Sequence, residues 1–392
     1  MLPFVRLFDY GNVAPVKDTV VKINSDENSI SVLYSDGSLY MRGRKPISKN
    51  GSYWFIFFNR WVLCPYSVDD FWSSLYCTII RTKQGELYYS GTNSVFGISS
   101  SVSTWTRCES YFGSISPSSI KDIKITSTTS TNNSMLILTS DSQLYGIGMN
   151  GASELGTATA PITSPLLIDT SVTAIASSEM SRNFHYIKDG IYYRCGENTF
   201  YQLGTGDNNP ITTFTTLNLG SSQVIAVQAT RWVTRLIVQS STSALSLMAA
   251  GWNTQLTIGG SENTGIIRSS FTTNPYTDIT ANSFDKLSPV SYVNAIKSST
   301  NIINTNGKGY NSNGAGLGRN AVSGNYGSIL PIEFFDDSVD LSHVEWFGSI
   351  GNGSVSVVSI GEDLYWTGNP GYFTEQGETG YIFKFKKCVP FR

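Results

Sequence analysis

Charge is scarce in this chain. Only 14% of the 392 residues are Asp, Glu, Lys or Arg, where a soluble domain ordinarily has about 25%. The 27 basic and 29 acidic residues nearly cancel, leaving a formal net charge of -2. No global field draws such a chain to nucleic acid or an anionic membrane. The one short basic cluster, Lys384, Lys386 and Lys387, reads as a solvated strand face. Histidine is rarer still, with only His185 and His343. That leaves too few imidazoles for a histidine-based metal site, and both read as structural.

Other absences narrow the class further. The cysteines, Cys64, Cys77, Cys108, Cys195 and Cys388, are odd in number and scattered, without a CxxC pair. Neither a disulfide framework nor a zinc site is expected, and folding in a reducing cytosol is. The densest apolar run, Tyr53 to Phe58, stops at Asn59, far short of the roughly 18 residues a membrane helix needs. The first residues lack a basic start, an apolar core and a small-residue cleavage site, so no secretory signal is expected. Helical periodicity is absent as well.

Enzymatic signatures are missing too. There is no Gly-x-Ser-x-Gly elbow, no phosphate-cradling Gly-x-x-x-x-Gly-Lys-Ser/Thr and no His-Glu-x-x-His. Paired carboxylates occur at Asp69-Asp70, Asp336-Asp337 and Glu362-Asp363. Neighbours on a strand point to opposite faces, so these read as solvated loop residues. The expectation is a non-enzymatic protein with no cofactor and no metal ion.

What is present is apolar and aromatic. The hydrophobic fraction is 40%, with 21 Tyr, 20 Phe and 8 Trp. A disordered chain has the opposite balance. The polar remainder is rich in Ser, Thr and Asn, as expected of a neutral β surface.

A short pattern recurs along the chain. An apolar β run leads into a turn, then Leu-Tyr or its equivalent, then Gly. Clear copies are Val32 to Gly43, Ile79 to Gly91, Leu136 to Gly148, Tyr186 to Gly196 and Val357 to Gly368. Weaker ones run from Leu236 to Gly251 and from Ile302 to Tyr310. The closing Gly falls at 43, 91, 148, 196, 251, near 312, and 368, a mean spacing near 54 residues. Asp36-Gly37 and Asp189-Gly190 suit two-residue hairpin turns, and Gln84-Gly85 and Asn306-Gly307 are close variants. A further strand precedes each hairpin, as at 172–177, 224–228 and 290–296. Four short strands repeated seven times predict an all-β fold, a single seven-bladed β-propeller spanning 1–392. The alternating segments 4–8 and 381–389 both read as strands. They could complete one shared blade, so that the N- and C-terminal strands close the ring.

A longer motif follows several of the glycines. The third unit has Gly148-Met-Asn150, then Glu154-Leu155-Gly156. The fourth has Gly196-Glu-Asn198, then Gln202-Leu203-Gly204. The sixth has Asn313-Gly314-Ala-Gly316-Leu317-Gly318, and the fifth keeps Gly251-Trp252-Asn253. This resembles the regulator of chromosome condensation repeat family, whose units carry Leu-Tyr-x-x-Gly-x-Asn-x-x-Gly-Gln-Leu-Gly. The resemblance implies a seven-bladed propeller in which Asn and Gly shape the loop after each hairpin. The family usually has Gly and His in the strand before each hairpin, where this chain has Ser177-Ser178 and Ser298 to Asn301. The family's name-giving activity is nucleotide exchange on a small GTPase with chromatin binding. Its charged surfaces have no residue-by-residue match here, so no functional residue is carried over.

Binding is expected from the irregular inserts, because long loops on a rigid scaffold carry function. The segment 93–120 holds Phe96, Trp105, Tyr111 and Phe112. The segment 254–287 holds Phe271 and Tyr276, and 319–337 holds Tyr326, Phe334 and Phe335. Aromatics among hydroxyls suit protein surfaces. The alternative is that they pin their own loops to the blades. The expected function is an interaction scaffold, a bacteriophage virion protein of tail or capsid appendage type. Its loops would contact a bacterial surface receptor or another virion subunit, without nucleic acid or membrane insertion. It would be made in the host cytoplasm. The alternative is a cytoplasmic regulator of a small GTPase.

Overall fold

The computed structural model describes residues 18–45, 56–126, 128–177, 180–253, 257–259, 266–289, 292–308, 316–319, 327–350, 354–372 and 378–388. Among the described residues twenty-eight strands follow one another, and the helical pieces are single 3-10 turns. Blade 1 is β1 (Val20–Asp26), β2 (Ser29–Tyr34), β3 (Leu39–Lys45) and β4 (Ile56–Leu63). Blade 2 is β5 (Val68–Ser73), β6 (Cys77–Thr82), β7 (Leu87–Thr92) and β8 (Ser101–Arg107). Blade 3 is β9 (Ile120–Ile125), β10 (Ser134–Thr139), β11 (Leu144–Gly148) and β12 (Ile162–Asp169). Blade 4 is β13 (Val172–Ser177), β14 (Asn183–Lys188), β15 (Ile191–Gly196) and β16 (Ile211–Thr216). Blade 5 is β17 (Gln223–Ala229), β18 (Val233–Gln239), β19 (Leu245–Trp252) and β20 (Ile267–Thr273). Blade 6 is β21 (Leu287–Ser288), β22 (Asn294–Lys297), β23 (Ile303–Asn306) and β24 (Leu330–Pro331). Blade 7 is β25 (Phe347–Ile350), β26 (Val355–Ile360), β27 (Asp363–Gly368) and β28 (Ile382–Lys387). Each blade is a meander of antiparallel neighbours, with one exception. The inner strand of blade 6, β21, is hydrogen-bonded in parallel to β25 of blade 7.

The expected all-β, seven-bladed ring is what the chain forms. Its core is a series of interfaces between adjacent blades. Leu33, Leu39 and Met41 meet Val68, Phe71 and Ile80 between blades 1 and 2. Leu136, Leu138 and Leu144 meet Phe184 and Tyr186 between blades 3 and 4. The ring closes the same way. Val20 and Ile23 of β1 share a cluster with Trp366 and with Ile382 of β28, and the Val20 N–H donates to Gly361 O at 2.9 Å. The terminal strands thus meet through side chains. β28 is hydrogen-bonded to β27 of its own blade. The segment 4–8 lies outside the described residues.

One glycine per blade fixes the hairpin geometry. Gly43, Gly91, Gly148, Gly196, Gly251, Gly307 and Gly368 all have φ between +99° and +137°. A Cβ at Gly251, Gly307 or Gly368 would overlap the carbonyl oxygen at the entry to the second strand. Only glycine tolerates that backbone region and that approach. The sixth anchor is therefore Gly307, not a residue near 312. Asn306-Gly307 is not a turn; it ends β23, and the hairpin turn is 298–302. The segment 290–296 accordingly leads into the second strand of blade 6, not the first. The turns also differ from one another. Asp189 and Gly190 both have positive φ, at 52° and 74°, as a two-residue I′ turn requires. At the first hairpin only Gly37 does, and the Asp36 carboxylate accepts from Ser38 N at 2.8 Å in a longer loop.

Candidate interaction face

In blades 3, 4 and 5 the loop after the hairpin is built by a repeated hydrogen bond. Asn150 Oδ1 accepts from Leu155 N at 2.9 Å, Asn198 Oδ1 from Leu203 N at 2.8 Å, and Asn253 Oδ1 from Ile258 N at 2.9 Å. Each Asn thus closes a five-residue loop and drives the following apolar side chain into the core. Glu154 and Gln202 brace two of these loops, accepting from the N–H of Ala152 and Phe200. The glycine after the apolar residue lets the next blade pack close. A Cβ at Gly156, Gly204 or Gly318 would strike the ring of Phe214, Phe271 or Phe385, respectively.

This repeat decides where the expected binding aromatics lie. Phe96 and Phe112 are 0% exposed, in one cluster with Ile79, Ile123 and Ile137 between blades 2 and 3. Phe96 precedes Gly97 as Leu203 precedes Gly204, so it is the loop's core anchor. Tyr111 is half-buried and stacks on Phe96 at 4.3 Å. Trp105 packs edge-on to Tyr66 at 6.4 Å beside the blade 1–2 core. Phe271 is buried against Tyr192, and Phe334 against Tyr365 and Phe385. Tyr276 is half-buried against the blade 5–6 core. Phe335 alone of these is open, at 59% exposure. Tyr326 lies outside the described residues. The inserts thus pin themselves to the blades, and burial takes Phe96, Phe112, Phe271 and Phe334 off the surface.

A different set of aromatics gathers on the loop face of blades 4 to 6. Phe200 stacks on Trp252 at 5.8 Å and meets Trp232 edge-on at 6.3 Å. Trp232 in turn meets Tyr292 at 4.8 Å. The Arg231 guanidinium lies 5.7 Å from the Phe200 ring and 5.4 Å from Trp232. Phe200, Arg231, Trp252 and Tyr292 are each half-buried, with Trp232 as the buried floor. Among the described residues the Arg231 Nε is a buried donor without a hydrogen-bond partner. Glu27, at the β1–β2 turn, is close enough to feel Arg231. Burial nevertheless pushes its carboxyl up to about 7. Arg231, Trp232 and Tyr292 lie just before the second strands of blades 5 and 6, while Phe200 and Trp252 occupy variable positions of the loop motif. A tally of aromatics there, rather than in the inserts, would have found Phe200 and Trp252.

The axis of the ring is a channel of about 730 Å³. Its charged residues sit on one side. Lys22, Asp69, Asp70, Lys121, Asp122 and Lys124 come from β1, β5 and β9, while β13, β17 and β21 contribute Thr173 to Ser177, Gln228 and Ser288. Asp69 and Asp70 lie on strand β5 rather than in a loop, Asp69 exposed and Asp70 half-buried. An irregularity in β5 between Val68 and Asp70 breaks the alternation of faces. Arg81 then reaches Asp69 at 2.7 Å, and Lys22 reaches Asp70 at 2.7 Å. The remaining titratable candidate is inert. His185 is fully buried between Tyr192 Oη and Asn183 Oδ1, and burial lowers its pKa to about 3. The five cysteines are buried, and none is in a disulfide among the described residues. Among the described residues, no group of three or more His, Cys, Asp or Glu could hold a metal ion.

These features define an RCC1-like propeller. Yeast RCC1 (Prp20), solved with Kap60 bound, superposes with a TM-score of 0.66 at 13% identity, over 87% of this chain and 80% of that one. Prp20p of Saccharomyces cerevisiae, studied for its binding to Gsp1p and histones, gives 0.63 at 13% identity over 85% and 80%. Human WBSCR16 gives 0.62 at 13% identity over 88% and 90%. At this identity the likeness is one of fold. No protein-family model and no curated protein matches the sequence.

Proposed function

We propose that this chain is a non-enzymatic protein-interaction propeller that receives its partner on the loop face of blades 4 to 6. One observation carries the reading. Arg231 lies among Phe200, Trp232, Trp252 and Tyr292 with a buried, unmatched Nε. Tyr, Trp and Arg dominate the residues whose truncation most weakens protein interfaces. A half-buried aromatic cluster also offers large contact area at little cost in side-chain entropy.

The partner this reading favours is a small GTPase, with the protein acting in the cytoplasm. The support is the fold: Prp20p has been studied for its binding to Gsp1p. The test is nucleotide release from a panel of small GTPases. At least tenfold acceleration of one member is expected, with Trp252→Ala and Arg231→Ala abolishing it. No acceleration across the panel would remove the GTPase and leave the face itself to be tested by cross-linking. The low charge and neutral strand surfaces favour a second reading, a virion component contacting a receptor or a neighbouring subunit. Mass spectrometry of purified particles decides it, and absence of the chain from them would end it.

A further inference from the structure

The opposite face of the ring carries a groove of about 630 Å³ between blades 6 and 7. Its lining includes Asp285, Lys286, Lys297, Asn301, His343 and Glu345. We propose that this groove binds a small oxyanion, a carboxylate or phosphoryl group, with Lys297 as its principal ligand and Lys286 beside it.

The first argument is positional. Four residues beyond the partner of the anchor glycine, on the second strand of each blade, stand Leu33, Arg81, Leu138, Ile187, Ile237, Lys297 and Ser359. The four aliphatic members are no more than 2% exposed and belong to the cores between blades. Lys297 therefore occupies a core position. Val293 and Ala295, on the same face of the strand, lie in the cluster shared by blades 6 and 7.

The second argument is the missing partner. Lys297 is only 7% exposed. Its backbone N–H donates to Ser283 O at 2.8 Å, but its amine makes no hydrogen bond and no ion pair. The acids nearby are accounted for. Glu345 is held by Lys286 at 3.2 Å, and Asp340 faces His343 at 3.7 Å. Asp278 accepts from Ser299 at 2.5 Å. Asp285 is exposed and makes no ion pair with Lys297, and it and Glu345 act on the amine only from a distance. Burying an ammonium without a hydrogen-bonded counter-charge opposes folding, and four other blades avoid it with Leu or Ile. Such a residue, aimed into a groove, is accounted for by an anion that arrives from outside. Burial and the nearby Lys286 depress its pKa, and Asp285 and Glu345 offset this only in part.

The test uses the intact protein with inorganic phosphate and with succinate, against chloride at matched ionic strength. Carbamoylation by cyanate, read at Lys297 by mass spectrometry, is expected to fall several-fold when the bound anion is present. The melting temperature should rise by about 3 °C at a hundredfold excess over Kd. Protection by phosphate alone assigns a phosphoryl ligand, and protection by succinate alone a carboxylate. Protection by neither overturns the proposal. Lys297→Met should fold and lose the shift, and an equal shift in that variant also overturns it. If the variant does not fold, labelling of the wild-type chain decides.

Discussion

Arg81 and Lys297 occupy the same position in blades 2 and 6, and the fold treats them in opposite ways. Arg81 is met on every side. Its Nε reaches Asp69 at 2.7 Å, and its Nη1 donates to Pro117 O at 3.1 Å and Ile120 O at 2.7 Å. Trp72 lies 5.6 Å from it. It ties blade 2 to blade 3 and borders the charged side of the channel. Lys297 has none of this. The pair shows that the ring can absorb a cation at a core position when backbone carbonyls and carboxylates are supplied. Where none is hydrogen-bonded to the cation, as at the Lys297 amine and at Arg231 Nε on the loop face, a partner from outside the chain can complete the site.

The comparison rests on the register set by the anchor glycines, and that register is the first thing to break. Gly307→Ala should cost about 3 kcal/mol or more, because the Cβ meets Tyr292 O at a φ of +127°. Gly361→Ala, with φ +59° and open space around it, should cost about 1 kcal/mol. Chemical denaturation of both variants checks the contrast, and equal losses would undo the alignment of the two blades.

Arg81→Met comes next. It strips two buried carbonyls and Asp69 of their donor, and a loss of about 3 kcal/mol is expected. Lys297→Met should go the other way and stabilise the anion-free protein by about 1 kcal/mol. The sign is the discriminating result, since a loss at Lys297 comparable to that at Arg81 would mean an internal partner. The gain should also depend on pH. The pKa of Lys297 is depressed in the fold, so its cost is full at neutral pH and fades as pH rises toward the unfolded value of about 10.4.

The smallest effect sharpens the loop face. Glu27 has its pKa raised from 4.5 to about 7, chiefly by burial. The folded state then holds more protons than the unfolded state between those values, so stability falls as pH rises from 4.5 to 7. His185, lowered from 6.5 to about 3, works in the opposite sense over pH 3 to 6.5. Glu27→Gln should therefore be more stable than the parent at pH 8, with the gap closed near pH 4.5. A gap independent of pH would show that the Glu27 carboxyl titrates normally.

Much of the fold was legible because its determinants are local. Turn chemistry, the Leu-Tyr pair and the anchor glycines lie within a dozen residues of one another. The one misplaced anchor has a local cause as well. Asn306-Gly307 imitates a hairpin turn, and only the approach of Tyr292 shows that it ends a strand. The site was far less legible, because exposure is settled by packing between blades. Phe271 sits in what reads as an insert, yet it packs on Gly204 of the preceding blade. Phe214, Phe271 and Phe385 repeat that contact, and the spacing of 57 residues between the first two was visible in the sequence. Lys297 could not be singled out without the register, since one lysine at the end of a short strand carries no pattern.

The central claim, that the loop face of blades 4 to 6 is where a protein partner sits, is tested most directly by photo-cross-linking in the native host. A photoreactive residue at exposed Thr199, next to Phe200, is compared with one at exposed Ser243, at the β18–β19 turn on the opposite face. The account predicts one discrete protein adduct from Thr199, lost with Trp252→Ala, and none from Ser243. Equal adducts from both positions, or none from Thr199, would contradict it.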